Sequence, residues 1–312
     1  MKKQDFYRYI ESHIGQYLPD LESVKIEPVY INNGVYIDAL LTEQAGNNTS
    51  PTIYLEQYYY KVANGAFTME RAVEEIANTY KNLCTTAYKD LVSSFVDFDF
   101  VRDKITMKCL NSEKNEDLLQ QVPHTEKEDL SFVYNVCLEA TEELRENILI
   151  RNEYMKLWNI TTEELHDLAV ENSKRILPVT IENIGIMYIV SNKYQTNGAA
   201  SIFYSDALAE IAEKEQSDVV VIPSSIHEVL VIPYDESMDM EVLARIVKAG
   251  NQEEIAKEET LSDHFYVYQA KSREFKLADT TLEQLKMEQQ KRKEEAMKQE
   301  PEKSVIISFP RI

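Results

Sequence analysis

The run Ser224-Ser225-Ile226-His227-Glu228 brings together a hydroxyl, an imidazole and a carboxylate, the groups that nucleophilic acyl transfer uses. Their spacing works against that chemistry. Successive side chains of an extended strand point to opposite faces, so His227 shares a side with Val229 and Val231 while Glu228 points away with Leu230 and Ile232. Glu228 therefore cannot orient the neighbouring imidazole. No G-x-S-x-G elbow presents a serine either. The run reads as a turn whose serines satisfy amides, and Ser224, Ser225 and His227 are kept as the catalytic candidates of a hydrolase.

Asp263 and His264, with His227, His124 and His166, are the other groups with ligand chemistry. No H-E-x-x-H, paired cysteines or EF-hand loop supports a metal, so each His is read as a hydrogen-bonding residue and no metal site is expected. Seven glycines leave no phosphate-cradling loop, because neither G-x-x-x-x-G-K-[ST] nor G-x-G-x-x-G occurs. No cofactor is expected. Cys84, Cys109 and Cys137 lie far apart in apolar or helical surroundings and read as reduced thiols of a cytoplasmic protein.

The elements around these residues are short and alternate in type. Ile186–Val190 and Ala199–Tyr204 flank Asn197-Gly198, a dipeptide that accepts positive φ, so a hairpin with a long loop is predicted there. Ser205 then caps a helix with Leu208, Ile211 and Ala212 on one face, and Val219–Ile222 and Val229–Ile232 form a second hairpin. The expected order over residues 184–234 is strand, strand, helix, strand, strand. The Val- and Ile-rich pair predicts central strands covered on both faces.

Upstream, Phe6, Ile10 and Ile14 mark a helix over 2–17, and Asn32-Asn33-Gly34 joins Glu22–Tyr30 to Val35–Leu41 as a hairpin. Lys104–Leu110 reads as a strand, and Leu130–Leu138 pairs with Asn147–Ile150. Thr161 and Glu164 form a capping box for the helix Glu163–Arg175. Trp158, the only tryptophan, is expected to be a structural plug between two subdomains.

Leu282–Gln299 is a highly charged helix former, broken at Pro301 and followed by Ser304–Ile312. Val305, Ile307 and Phe309 fall on one side of that last peptide if it is extended, which suits addition to a sheet edge. They are the partner-binding candidates, for another protein, for a second copy or for the body of the same chain.

The net charge of −21 repels phosphate backbones and anionic lipid, so neither nucleic acid nor membrane is an expected partner. Met1-Lys2-Lys3 is basic, but Gln4-Asp5 follow and no apolar leader segment is read. No run approaches the roughly 20 apolar residues of a membrane span.

The segments Ile148–Trp158, Asp218–Pro233 and Leu261–Tyr266 resemble an uncharacterised bacterial family, domain of unknown function 5688, over Met1 to Asp279. The resemblance implies no activity, cofactor or catalytic residue. The sequence thus predicts an α+β fold of antiparallel hairpins covered by helices, with subdomains 1–125 and 126–279 and a charged helical tail, 280–312. The expected function is that of a non-catalytic accessory or adaptor protein that binds another protein. The alternative is a hydrolase of unrecognised type using Ser224, Ser225 and His227.

Overall fold

The computed structural model describes residues 1–44, 51–84, 94–140, 145–235, 237–253 and 255–278. Phe6 and Ile10 put one stripe of α1 (Lys3–His13) into the core, and Ile14 extends it through a 3-10 turn. Strands β1 (Leu21–Asn32) and β2 (Val35–Gln44) form the expected hairpin. Asn33 (φ 52°) and Gly34 (φ 70°) both take the left-handed backbone that a two-residue turn needs. β3 (Ile53–Tyr54) adds to β2, and α2 (Glu56–Ala63) and α3 (Met69–Leu83) complete this unit. Val73, Ile76 and Tyr80 of α3 pack with Phe6, Ile10 and Leu40 in a core drawn from residues 6–84.

After α4 (Phe98–Val101) comes a second sheet, made of β4 (Ile105–Asn111), then past α5 (Glu116–Leu119) β5 (His124–Lys127), β6 (Leu130–Ala140) and β7 (Arg145–Leu149). β6 is its hub and pairs antiparallel with the other three. Two helices follow, α6 (Asn152–Trp158) and α7 (Thr162–Ile176). Both halves of the Thr161/Glu164 capping box form at the start of α7.

The third sheet begins with β8 (Val179–Asn183) and β9 (Tyr188–Asn192). Helices α8 (Ser201–Tyr204) and α9 (Ala207–Glu215) lead to β10 (Val219–Pro223) and β11 (Val229–Pro233), and α10 (Met240–Glu253) leads to β12 (Tyr266–Gln269) and β13 (Glu274–Leu277). The order is β13-β12-β10-β11-β9-β8, antiparallel throughout. Val219, Val221, Val229 and Val231 face the main core, whereas Val220 and Val267 face Met240 and Val247 of α10. β10 is therefore covered on both faces, while Leu230 and Ile232 on the second face of β11 are half-buried. The fold is α+β, antiparallel sheets flanked by helices.

Three expectations are corrected. Ala199–Tyr204 is not a strand but a 3-10 turn, Gly198–Ala200, that runs into α8. β9 finds its hairpin partner upstream in β8 instead, through Gly185, whose φ of +100° makes the turn. The four-strand set thus begins at Val179, and two short helices lie within it.

The boundary expected at residue 125 falls inside the second sheet, where His124 pairs with Val133 and Ile105 with Val136. The apolar core divides elsewhere, into residues 6–84 and a larger cluster spanning 95–277, with two smaller clusters around Val220 and around Leu110. Trp158 is buried inside that larger cluster rather than between subdomains. Its rings neighbour Phe95, Phe98 and Tyr154, and its Nε1 donates to the Phe95 carbonyl at 3.2 Å. The tail, 280–312, with Val305, Ile307 and Phe309, lies outside the described residues.

Candidate functional site

The turn from Pro223 to Glu228 is gripped from three sides. The Ser225 hydroxyl accepts the His227 amide at 3.0 Å, so this serine satisfies a turn amide as its position suggests. The Ser191 hydroxyl donates to the His227 carbonyl at 2.8 Å, and the Ile226 amide donates to the Glu259 carbonyl at 2.8 Å. Asn197, at φ 50°, turns the chain so that Ala199 N donates to the Ile226 carbonyl at 3.2 Å. Gly198 is required there. A Cβ on it would lie 2.2 Å from Ser191 Oγ, 2.5 Å from the His227 carbonyl oxygen and 2.7 Å from Asn192 N.

The imidazole is committed at both nitrogens. Nδ1 accepts the Asn197 amide at 3.1 Å, which places the proton of the neutral ring on Nε2. Nε2 lies 3.5 Å from Glu259 Oε1. His227 lies in a bend before β11, so strand alternation does not set its direction; among the described residues Glu228 makes no ion pair with the ring, and Glu259, 32 residues on, stands beside it. Sequence reasoning missed Glu259, since nothing in the run Glu258-Glu259 signals a return to residue 227. A general base needs a lone pair aimed at the nucleophile, and among the described residues neither the Ser224 nor the Ser225 hydroxyl contacts this ring.

The other histidines sit apart from it. His166 Nδ1 joins Tyr134 Oη at 3.0 Å and Thr125 Oγ1 at 3.2 Å, and those two hydroxyls are 2.9 Å apart. Burial pushes the Tyr134 hydroxyl up to about 12, so near neutrality it is a donor in this cluster. His124 Nδ1 lies 3.1 Å from the Val122 carbonyl. Burial raises the Asp263 carboxyl, but hydrogen bonds from Asn251 and Lys114 outweigh it and hold the group below its usual range. Among the described residues, no three His, Cys, Asp or Glu side chains are grouped to hold a metal ion.

Asp129, in the β5–β6 turn, accepts the Tyr266 hydroxyl and the Ser262 hydroxyl at 2.6 Å each. Burial and this carboxylate push Tyr266 far above its ordinary range. The same burial raises the Cys109 thiol and keeps it unreactive. Cys84, Cys109 and Cys137 are free thiols.

These features define an α+β protein of antiparallel sheets whose turn-borne polar side chains are largely engaged with one another. The description "Family of unknown function (DUF5688)" matches residues 3–186 and 184–270, and the chain belongs to that family. No curated protein and no solved structure matches it. No helix among the described residues is long and apolar enough to cross a membrane.

Proposed function

We propose that the protein is a non-catalytic accessory or adaptor that binds another protein. The observation that carries the reading is the tip of the β8–β9 hairpin. Ile184 is 47% and Ile186 78% exposed, at the end of an edge strand whose outer side has no neighbour among the described residues. Exposed apolar side chains beside a free sheet edge suit addition of an extended segment. Ser304–Ile312, presenting Val305, Ile307 and Phe309, is the segment of this chain proposed to make such a contact, with a partner or with a second copy. The location proposed is cytoplasmic, which the three free thiols support.

Ile186→Asp and a chain lacking Ser304–Ile312 test the reading in light scattering and in pull-downs against the full chain. The expected result is a changed mass or a lost co-purifying protein with an unaltered melting temperature. Unchanged mass and partners in both variants refute it.

A second reading, hydrolysis at Ser224, Ser225 and His227, is favoured by the carboxylate of Glu259 beside the imidazole. Turnover of ester, phosphate or peptide substrates that vanishes in both Ser224→Ala and His227→Ala would establish it over the first.

A further inference from the structure

Lys108 stands on β4 between Thr106 and Leu110, on the opposite face from Ile105, Met107 and Cys109. Its cross-strand neighbour is Val133. This second face of the sheet is covered by α5 and by Tyr30 of the β1–β2 hairpin, which pack on Leu110 and Val133. The cover is incomplete. A cavity of about 220 Å³ remains, with Lys108, Tyr30, Tyr36, Gln121 and Arg151 in its wall.

Among the described residues, no carboxylate pairs with the cations in this wall. Burial lowers the pKa of the Lys108 ammonium, and no neighbouring charge offsets that. The Arg151 guanidinium donates to the neutral Gln121 Oε1 at 3.1 Å. Asp117 and Arg151, also in the wall, are both exposed to solvent and form no ion pair with one another, so Lys108 is the desolvated cation of the two. Shortage of acid does not explain this, since the chain has 54 Asp and Glu against 33 Lys and Arg. A desolvated ammonium is costly unless a negative group meets it. Lys108 is among the residues that line the cavity.

The geometry points to a binding site for a small organic oxyanion, a carboxylate or a phosphate ester, held by Lys108 and Arg151 with its carbon body against Tyr30 and Tyr36. Tyr30 is fixed for that task by its hydroxyl bond to Asn115 Oδ1, and the Tyr36 ring stands edge-on to it at 5.4 Å. Tyr36 is 59% exposed and forms the mouth. The apolar wall favours a ligand with a ring or short chain over a bare ion. This site does not depend on the adaptor reading.

Calorimetric titration of the full chain with benzoate and with inorganic phosphate, against sodium chloride at equal ionic strength, tests the proposal. Saturable binding of at least one probe is expected, weakened tenfold or more by Lys108→Met and also weakened by Arg151→Gln. Binding of benzoate alone identifies the carboxylate source, and binding of phosphate identifies the phosphate source. Absence of saturable binding for both, or equal affinity in Lys108→Met, overturns the site. In the unmodified chain, the bound probe should also slow acylation of Lys108 by an amine reagent, read by mass spectrometry. Equal acylation with and without a probe that binds overturns it independently of how the variants fold.

Discussion

At the scale of the residue, Lys108 also makes a stability statement. Its pKa is lowered in the folded chain, so between the folded value and the ordinary 10.5 the unfolded chain binds more protons. Stability contributed by this site therefore rises with pH through that window and is lowest below it, where the ammonium is charged in both states. Lys108→Met removes the penalty while keeping the stem, and at pH 7 it should stabilise the protein by about 1–3 kcal/mol, the usual cost of an unsatisfied buried group. Urea midpoints across pH 7 to 10.5 check it: the gap between variant and parent should narrow as pH rises, and a constant or widening gap contradicts it. The sequence concealed this lysine because Ile105-Thr-Met-Lys-Cys109 alternates apolar with polar, the pattern of a strand with one solvated face. The covering hairpin comes from some 80 residues upstream. Glu259 was hidden for the same reason, as a partner that only the folded chain brings to His227.

Among the elements, the stretch from Asn197 to Tyr204 decides how the third sheet is built. Asn197-Gly198 does turn the chain, as its composition indicates, yet it opens a helical turn because Gly198 must fit against Ser191, Asn192 and His227. Ala199, Ala200, Ser201 and Ile202 are all buried, so the run lies within the core instead of presenting alternate faces. The hairpin that does form rests on Gly185 and on the Asn183 side chain, which accepts the Gly185 amide at 2.8 Å. Gly198→Ala should destabilise the protein by at least ~1–3 kcal/mol, because two of the three atoms in the way are backbone and cannot swing aside. Gly15→Ala is the control, since a Cβ there meets nothing within 4 Å. Thermal melts showing equal effects for the two substitutions would refute this account of the turn. By contrast, the capping box on α7 and the β10–β11 pair were legible, since local hydrogen bonding and apolar content specify them without distant partners.

Across the whole molecule, asparagines join the unit of residues 6–84 to the rest of the chain, beside the packing of Tyr30 on Leu110 and Val133. Asn33 donates from Nδ2 to the Thr260 carbonyl at 2.6 Å and the Lys257 carbonyl at 2.8 Å, and Asn32 donates to the Glu258 carbonyl at 2.7 Å. Asn115 completes the joint. Its Oδ1 accepts the Asn33 amide at 3.1 Å and the Tyr30 hydroxyl, while its Nδ2 donates to Asn33 Oδ1 at 2.9 Å. Asn32-Asn33-Gly34 announced a turn in the sequence but not that its tip would be buried, because the groups that bury it come from residues 115 and 257–260. Asn115→Ala leaves an amide and a hydroxyl without their acceptor, at a cost of about 1–3 kcal/mol for each. Most of that cost falls on the contact between the cores, since each core keeps its own apolar contacts. The only tryptophan, Trp158, reports on the larger core alone, whereas far-ultraviolet circular dichroism reports on both. In the parent chain the two urea curves should coincide. In Asn115→Ala the circular dichroism curve should begin earlier, as the unit of residues 6–84 unfolds first, with the fluorescence midpoint shifted less. Curves that still coincide in the variant would mean that the two cores unfold as one and that the asparagine joint does not couple them.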